Sequence, residues 1–234
     1  MMRQIQGVSF PRTGHSLMLN YLMRYFSRDL NWIENVNDYL TDGLMYARPF
    51  VYCESYGHCH QSPCPHADTT FQKDHDFDST IEYRADQYYL VQNRDPLPAI
   101  ISHYKLSLRD LPKQQSFSLK SLFNPDDSMR NWKRFYLERL NNWLDFQEKW
   151  VQPKHSNVYV LNYNDMAERP MEKIREVIQF LDSSHEIDEA WYGQSVESID
   201  VHSKDTVRSF KYYDAWSQKM ADEFVQRGKF RQVA

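Results

Sequence analysis

The sequence predicts an α/β fold with a mainly parallel central sheet flanked by helices. Short strand patterns rich in apolar residues alternate with helical patterns along the chain, which is typical of this class. Two of the strands, near residues 5–10 and 87–94, end in polar turns that lead directly into a helix. The first of these turns carries Arg12 and Gly14, the composition of a P-loop-like phosphate turn. The length of 234 residues fits one domain over residues 1–234.

Each element is predicted from its own local pattern. Apolar residues recur at helical spacing after the first strand, and again in a stripe from Trp132 to Trp150. Residues 27–70 contain three prolines and are expected to form loops and short helices. The remaining predicted elements are the strand over residues 87–94, a helix with Pro98 in its first turn, the strand over residues 157–163 and a helix from Pro170.

Composition and charge exclude several classes of partner. The net charge is −4, so the chain has no overall basic character for nucleic acid, although a local cationic pocket is compatible with this value. No apolar run approaches the roughly 18 residues that span a bilayer. The first strand pattern begins near Ile5, too early for a signal peptide to precede it. We therefore expect a cytoplasmic protein with no membrane span and no nucleic-acid partner.

The turn after the first strand is a candidate anion site. The N-terminus of a helix presents backbone N–H groups and partial positive charge to such a ligand. Arg12 adds a fork of donors, and Gly14 allows close backbone approach. In the alternative interpretation Arg12 is solvated and Ser16 only caps the helix. The turn lacks the Gly-x-x-x-x-Gly-Lys-Ser/Thr pattern of a P-loop.

The segment "FPRTGHS" and its apolar helix resemble the 5′-phosphosulfate loop of sulfotransferases that use 3′-phosphoadenosine 5′-phosphosulfate (PAPS). The resemblance implies that the loop residues bind this nucleotide. They are Arg12, Thr13, Gly14, His15 and Ser16. Leu17 departs from the family pattern, because it stands where the family has a tryptophan that packs on adenine.

Two further segments resemble nucleotide-binding parts of the same family. In "NRDPLPAIIS", Arg94 and Ser102 stand eight residues apart, as do the family's contacts to the 3′-phosphate. An arginine at a strand end also suits bidentate phosphate binding. In "LNYND", the resemblance implies that Tyr163 reaches the adenine. The alternatives are an ordinary Arg–Asp turn before a helix and a core tyrosine at a strand end.

The segment "FQKDHDF" resembles the family's Lys-Thr-His segment, which assigns His75 as the general base. Histidine suits this role, since its pKa lies near neutrality. If the segment is extended, Lys73 lies on the same face and helps hold the sulfuryl group beside Arg12. Near the C-terminus, the resemblance implies Arg208 as the preferred further phosphate contact and Lys204 as the second choice, although this segment lacks the family's glycines. The alternative is a solvated basic stretch before a last helix.

The predicted function is therefore a PAPS-dependent sulfotransferase. It transfers a sulfuryl group to a hydroxyl or amine of an unidentified acceptor and releases adenosine 3′,5′-bisphosphate, without a metal. The acceptor is expected to be a small molecule or a carbohydrate, with a glycan or a small alcohol as the first candidates. One alternative is a P-loop-like nucleotide phosphotransferase of kinase type, which would need a Walker lysine and a magnesium-binding carboxylate that we do not find in place.

A second alternative is a non-catalytic, zinc-stabilised binding module. It rests on the cysteines and histidines between Cys53 and His66. The spacing is against zinc, because no Cys-x-x-Cys pair occurs. A disulfide between Cys59 and Cys64 is disfavoured by a cytoplasmic location.

Overall fold

The structure is a computed structural model, and it describes residues 3–26, 44–47, 50–54, 69–76, 79–110, 125–197, 210, 212 and 214–230. These residues form two compact units. The first comprises Met1–Asp76, Thr80–Asn93 and Lys154–His202, and the second comprises Phe77–Ser79, Arg94–Pro153 and Ser203–Ala234. The described strands and helices are β1 (Ile5–Ser9), α1 (His15–Phe26), β2 (Leu44–Ala47), β3 (Phe50–Glu54), β4 (Phe71–His75), β5 (Tyr88–Asn93), α2 (Pro96–Asp110), α3 (Pro125–Phe146), β6 (Val158–Asn162), α4 (Tyr163–Glu168), α5 (Pro170–Leu181), α6 (Glu189–Glu197) and α7 (Ala215–Phe230).

The strands form one six-stranded sheet in the order β2-β3-β4-β1-β5-β6. Five of them, from β3 to β6 across the sheet, pair in parallel, and β2 pairs antiparallel with β3 at one edge. The prediction of an α/β fold with a mainly parallel sheet is confirmed. The first strand of the chain lies inside the sheet, between β4 and β5, so its C-terminal turn is flanked by two other strand ends.

The register aligns the ends of the three middle strands. Ser9, the last residue of β1, lies level with His75 on β4 and with Gln92 on β5. Because all three strands run in the same direction, their carboxyl ends meet at one edge of the sheet. Ligands of open α/β sheets bind outside this edge.

The core of the first unit lies on one face of this sheet. Side chains of alternate strand residues, among them Ile5, Phe71, Leu90 and Leu161, are buried with apolar residues of α1, α5 and α6. Helix α5 contributes the stripe predicted from its sequence, namely Ile174, Val177, Ile178 and Leu181. Burial of this apolar area is the main stabilising contribution to the unit.

The second unit is built on the long helix α3, which continues into a π-helical turn over Gln147–Val151. The predicted stripe on α3 is buried. Its described members are Trp132, Tyr136, Leu140, Trp143, Gln147 and Trp150. Ser217 at the start of α7 anchors two of these rings, since its hydroxyl accepts from Trp132 Nε1 at 3.1 Å and its carbonyl accepts from the Tyr136 hydroxyl at 2.9 Å.

The expectation of loops and short helices over residues 27–70 is wrong where the structure describes this region. Two strands, β2 and β3, lie there, and β3 pairs in parallel with β4. The two strands were missed because a buried strand shows a continuous apolar run and not an alternating pattern, and because Pro49 interrupts this run in the sequence. Helix α6 was also not predicted, because Gly193 and a weak apolar pattern hide it.

Within the described part of the chain, we find no helix that combines the length and the apolar character needed to cross a membrane.

Candidate active site

The turn between β1 and α1 has an unusual backbone. Arg12 adopts a φ of 69° and Gly14 a φ of 98°, both in the left-handed region that glycine tolerates and arginine rarely adopts. Strained residues of this kind persist only where the surrounding structure holds them, and they cluster at functional sites. The Arg12 side chain is exposed in the turn that follows β1.

Thr13 and Ser16 occupy different places in this turn. The Thr13 side chain is 1% exposed, and its hydroxyl donates to the Phe10 carbonyl at 2.8 Å. This hydroxyl therefore closes the turn, and the group that Thr13 can offer to an anion is its backbone N–H. Ser16 is exposed in the first turn of α1, whose first N–H groups have no partners within the helix.

His75, Ser9 and His15 form a hydrogen-bonded row at the end of β1. Ser9 Oγ lies 2.9 Å from His75 Nδ1 and 3.2 Å from His15 Nδ1. The Ser9 carbonyl oxygen also lies 3.3 Å from His75 Nδ1. The sheet register thus places the predicted base directly beside the strand that carries the Arg12 turn.

His15 is buried beneath the turn and does not point to solvent. Its side chain is 4% exposed and contacts the Phe71 ring edge-on, with centroids 5.6 Å apart. Burial lowers the pKa of His15 well below its ordinary value, and the nearby charges of Lys73 and His75 lower it further. His15 is therefore a neutral imidazole, and its backbone N–H in the first turn of α1 is the group suited to a phosphate.

Gly7 makes room for this imidazole. A Cβ at Gly7 would overlap the Phe71 ring and lie 2.8 Å from His15 Cε1. A larger residue at this position of β1 would displace both rings from the sheet.

Lys73 and His75 project from the same face of β4, because they are two residues apart on a strand. Lys73 is level with Gly7 and 9% exposed, whereas His75 is half-buried at the strand end. The positive charge of Lys73 is one of the causes that lower the pKa of His15.

Five of the nine histidines lie in the described part of the chain, and His15 and His75 are the two in the row. The others contact aromatic rings elsewhere, with His103 against Phe135, His155 against Tyr83 and His185 against Tyr25.

Tyr163 lies against the same turn. It is the first residue of α4, directly after β6, and it is half-buried. A Cβ at Gly14 would overlap its ring and lie 3.0 Å from Cε2. Leu17, at the position of the family's tryptophan, packs against the core. Tyr163 therefore provides an aromatic ring beside the turn between β1 and α1.

The turn after β5 belongs to the second unit and is built differently. Arg94 is half-buried, and its carbonyl accepts a hydrogen bond of 3.1 Å from the indole Nε1 of Trp143. Helix α2 begins at Pro96, and the Ala99 N–H donates to the Asp95 carbonyl at 3.4 Å. Ser102 is half-buried on this helix.

A cavity of about 610 Å³ lies within the second unit, beside this turn. Residues Asp95–Pro98 of the turn and α2 line one side, and residues of α7 line the other. Its charged residues are the acids Asp95 and Asp222, which disfavour a phosphate.

Some predicted residues lie outside the described part of the chain. They are Arg208, Lys204, Cys59, Cys64, His58, His60 and His66. Cys53 is described and is buried in β3. Among the described residues, no group of three or more histidine, cysteine or acidic side chains could hold a metal ion.

Sequence reasoning missed Ser9, which links the two histidines. A serine at the end of a strand gives no signal of its own. Only the pairing of β1 with β4 shows that it lies level with His75.

Comparison with known proteins adds independent evidence. The family model of the sulfotransferase domain matches residues 8–232. No curated protein sequence matches this chain. The crystal structure of mouse sulfotransferase SULT7A1 complexed with PAP is similar over 97% of this chain and 84% of that chain, with 14% identity and a TM-score of 0.52.

Two other solved sulfotransferases match with lower TM-scores. The sulfotransferase from Alicyclobacillus acidocaldarius is 16% identical over 84% of this chain and 94% of that chain, with a TM-score of 0.36. The sulfotransferase domain from the curacin biosynthetic pathway is 14% identical over 96% of this chain and 98% of that chain, with a TM-score of 0.45.

The fold shared with the mouse enzyme and the family model over nearly the whole chain confirm the predicted fold and enzyme class. PAPS, the predicted co-substrate, is the sulfuryl donor of this class. The chain therefore belongs to the sulfotransferase family.

Proposed function

We propose that this chain transfers the sulfuryl group of PAPS to an acceptor hydroxyl or amine, with His75 as the general base. The observation that carries the proposal is the position of His75 at the end of β4, hydrogen-bonded to Ser9 one residue before the turn that carries Arg12. The proposed base and the turn proposed to bind the 5′-phosphate therefore belong to the same compact unit.

The reaction requires a proton acceptor and charge stabilisation. The acceptor oxygen or nitrogen attacks sulfur in line and forms a new bond to it, while the bond from sulfur to the bridging phosphate oxygen breaks. The proton of the acceptor passes to Nε2 of His75. Arg12 and Lys73 stabilise the negative charge on the bridging oxygen and the sulfuryl group, and adenosine 3′,5′-bisphosphate leaves.

The 5′-phosphate is bound by the backbone N–H groups of residues Thr13–Ser16 at the start of α1, together with Arg12. Tyr163 contacts the adenine, a role supported by the proximity of its ring to Gly14. Arg94 and Ser102 bind the 3′-phosphate, with Arg208 as a further contact.

We expect the acceptor to be a small molecule or a carbohydrate. The cytoplasmic location and the single domain over residues 1–234 stay predictions from the sequence.

Calorimetry with two nucleotides tests the binding roles. Adenosine 3′,5′-bisphosphate and adenosine 5′-monophosphate differ only in the 3′-phosphate. Arg94→Ala should weaken binding of the bisphosphate roughly 10- to 100-fold, because a charge-assisted hydrogen bond contributes about 1.5–3 kcal/mol. The affinity for the monophosphate should not change. Arg12→Ala should weaken both ligands. Absence of bisphosphate binding to the wild type at millimolar concentration would overturn the proposal.

Turnover tests the base. His75→Ala should retain bisphosphate binding and lose about 10²- to 10⁴-fold in kcat, the usual contribution of a general base. The assay measures bisphosphate release from PAPS with a panel of phenols, alcohols and sugars. His155→Ala, a histidine that stacks on Tyr83, is the matched control and should keep wild-type turnover. A His75→Ala variant with unchanged kcat would refute the assignment.

A further inference from the structure

Ser9 has one hydroxyl hydrogen and two imidazole neighbours. Its Oγ lies 2.9 Å from His75 Nδ1 and 3.2 Å from His15 Nδ1. Since each hydrogen bond contains one hydrogen, Ser9 can donate to one ring nitrogen and must accept from the other, or donate to the Asp74 carbonyl at 3.4 Å. The tautomers of the two histidines are thus coupled through this hydroxyl.

The Ser9 carbonyl decides the direction of the hydrogen bond to His75. It lies 3.3 Å from His75 Nδ1 and can only accept. A hydrogen on Nδ1 satisfies both the carbonyl and the hydroxyl oxygen of Ser9. A hydrogen on Nε2 would instead set the Nδ1 lone pair against the carbonyl oxygen. The arrangement therefore favours the Nδ1–H tautomer of His75.

His15 completes the arrangement because it takes the hydroxyl hydrogen of Ser9. Its Nδ1 is then an acceptor, and its own hydrogen lies on Nε2. This Nε2 is buried without a hydrogen-bond partner in the structure. The neutral state of His15 matters here, because a protonated ring would donate to Ser9 and direct the hydroxyl hydrogen towards His75.

We propose that Ser9 and His15 are positioning residues that hold His75 as the Nδ1–H tautomer, so that its Nε2 lone pair accepts the proton of the sulfuryl acceptor. The inference rests on the proposed function of His75 as the base. When Nε2 takes the proton, the Nδ1–H of the resulting imidazolium still donates to Ser9, which stabilises the new charge.

The burial of His15 supports this role. The ring lies in the first turn of α1, where Gly7 leaves space for it beside β1 and Phe71 contacts it edge-on. Burial and the positive charge of Lys73 both lower the pKa of His15 and so keep the ring neutral. The fold therefore maintains an acceptor next to Ser9.

The first experiment measures the tautomer directly. Long-range ¹H–¹⁵N NMR spectra distinguish Nδ1–H from Nε2–H imidazoles, and the His75 signals are assigned by their loss in His75→Ala. The wild type should show Nδ1–H at His75, and Ser9→Ala should shift the population towards Nε2–H. An Nε2–H tautomer in the wild type would overturn the inference, whether or not the variant folds.

The second experiment measures the kinetic effect. Ser9→Ala should lower kcat roughly 10-fold, by analogy with the effect of groups that orient a metal-binding histidine, and leave the Kd of adenosine 3′,5′-bisphosphate unchanged. Ser9→Thr, which keeps a hydroxyl, should restore most of the activity. His15→Leu should lower kcat by a smaller factor, and His15→Asn should recover it, because the amide oxygen accepts from Ser9.

Ser195→Ala is the matched control. It also removes a buried serine hydroxyl that donates to a carbonyl in the same unit, that of Tyr192 at 2.9 Å. Equal kcat in Ser9→Ala and Ser195→Ala would refute the inference. Failure of the wild type to bind the bisphosphate would refute the proposed function instead, while the tautomer measurement would still decide the role of Ser9.

Discussion

The turn after β1 and the turn after β5 both lead a parallel strand into a helix, but they are held by different means. In the first, Arg12 and Gly14 have positive φ angles, and the Thr13 hydroxyl closes the turn onto Phe10. In the second, neither Arg94 nor Asp95 has a positive φ, and the indole of Trp143 fixes the Arg94 carbonyl.

In the proposed function the two turns hold their phosphates by different groups. In the first turn the proposed ligands are backbone N–H groups at the start of α1, so binding there depends on backbone geometry. The second turn offers one arginine side chain, so its capacity depends on how that residue is positioned. Substitutions that alter the backbone should therefore matter most in the first turn, and those that release a side chain should matter most in the second.

Gly14→Ala should have the largest effect. The methyl group would overlap Tyr163, and the φ of 98° is unfavourable for alanine. We expect a loss of about 1–3 kcal/mol in unfolding free energy and at least a roughly tenfold loss of bisphosphate affinity, measured by urea unfolding and calorimetry.

Gly193→Ala is its control. A Cβ at Gly193 would meet nothing within 4 Å, and the residue lies inside helix α6. The unfolding free energy of this variant should rise by about 0.5–1 kcal/mol, because alanine is more stable than glycine inside a helix. Equal stabilities of the two variants would contradict a strained first turn.

The buried imidazole of His15 should affect the pH dependence of stability. Because the folded-state pKa of His15 lies well below 6.5, the unfolded chain binds a proton that the folded chain does not. The contribution of neutral His15 to the free energy of unfolding is present above about pH 6.5. It is lost as the pH falls, by up to about 1.4 kcal/mol per pH unit.

Urea unfolding at several pH values between 7.5 and 5.5 measures this slope. The stability of the wild type should fall more steeply with decreasing pH than that of His15→Asn, since asparagine does not titrate. Parallel curves for the two proteins would show that His15 titrates normally in the folded state.

Trp143→Phe should sharpen the comparison at the second turn. It keeps an aromatic ring but removes the indole hydrogen bond to the Arg94 carbonyl. Bisphosphate affinity should fall about threefold to tenfold, since such a bond contributes about 0.5–1.5 kcal/mol. Trp132 lies on the same helix, α3, and donates its indole hydrogen bond to Ser217. Trp132→Phe removes this bond and should leave the bisphosphate affinity unchanged. An equal loss in both variants would indicate a general loosening of α3.

Thr13→Val should have the smallest effect on binding. It removes the hydroxyl that closes the first turn and should lower stability by about 0.5–1.5 kcal/mol, with little change in bisphosphate affinity. Thr13→Ser should restore the stability. A large affinity loss at wild-type stability would instead mean that the hydroxyl contacts the phosphate.

The strand-to-helix turns and their neighbouring elements were predictable because their signals are local. The strand Ile5–Ser9, the helix from His15 and the helix at Pro96 follow from short patterns of apolar residues, glycine and proline. Strand β3 was missed because its burial depends on pairing with β4 and not on its own pattern.

The candidate site divides in the same way. Arg12, Arg94 and His75 could be proposed from segments that resemble the sulfotransferase family. The buried position of His15 could not, because a histidine between glycine and serine in a polar turn reads as exposed. It lies inside because Gly7, eight residues earlier on the strand, has no side chain to fill the space.

From the sequence alone follow the alternation of strands and helices, the family and the chemical groups available for sulfuryl transfer. The tertiary structure decided which of these groups meet. Ser9 and His75 are 66 residues apart, and they come together because parallel pairing of β1 with β4 brings both strand ends to one edge. Such long-range pairing depends on the whole sheet, and no short segment of sequence encodes it.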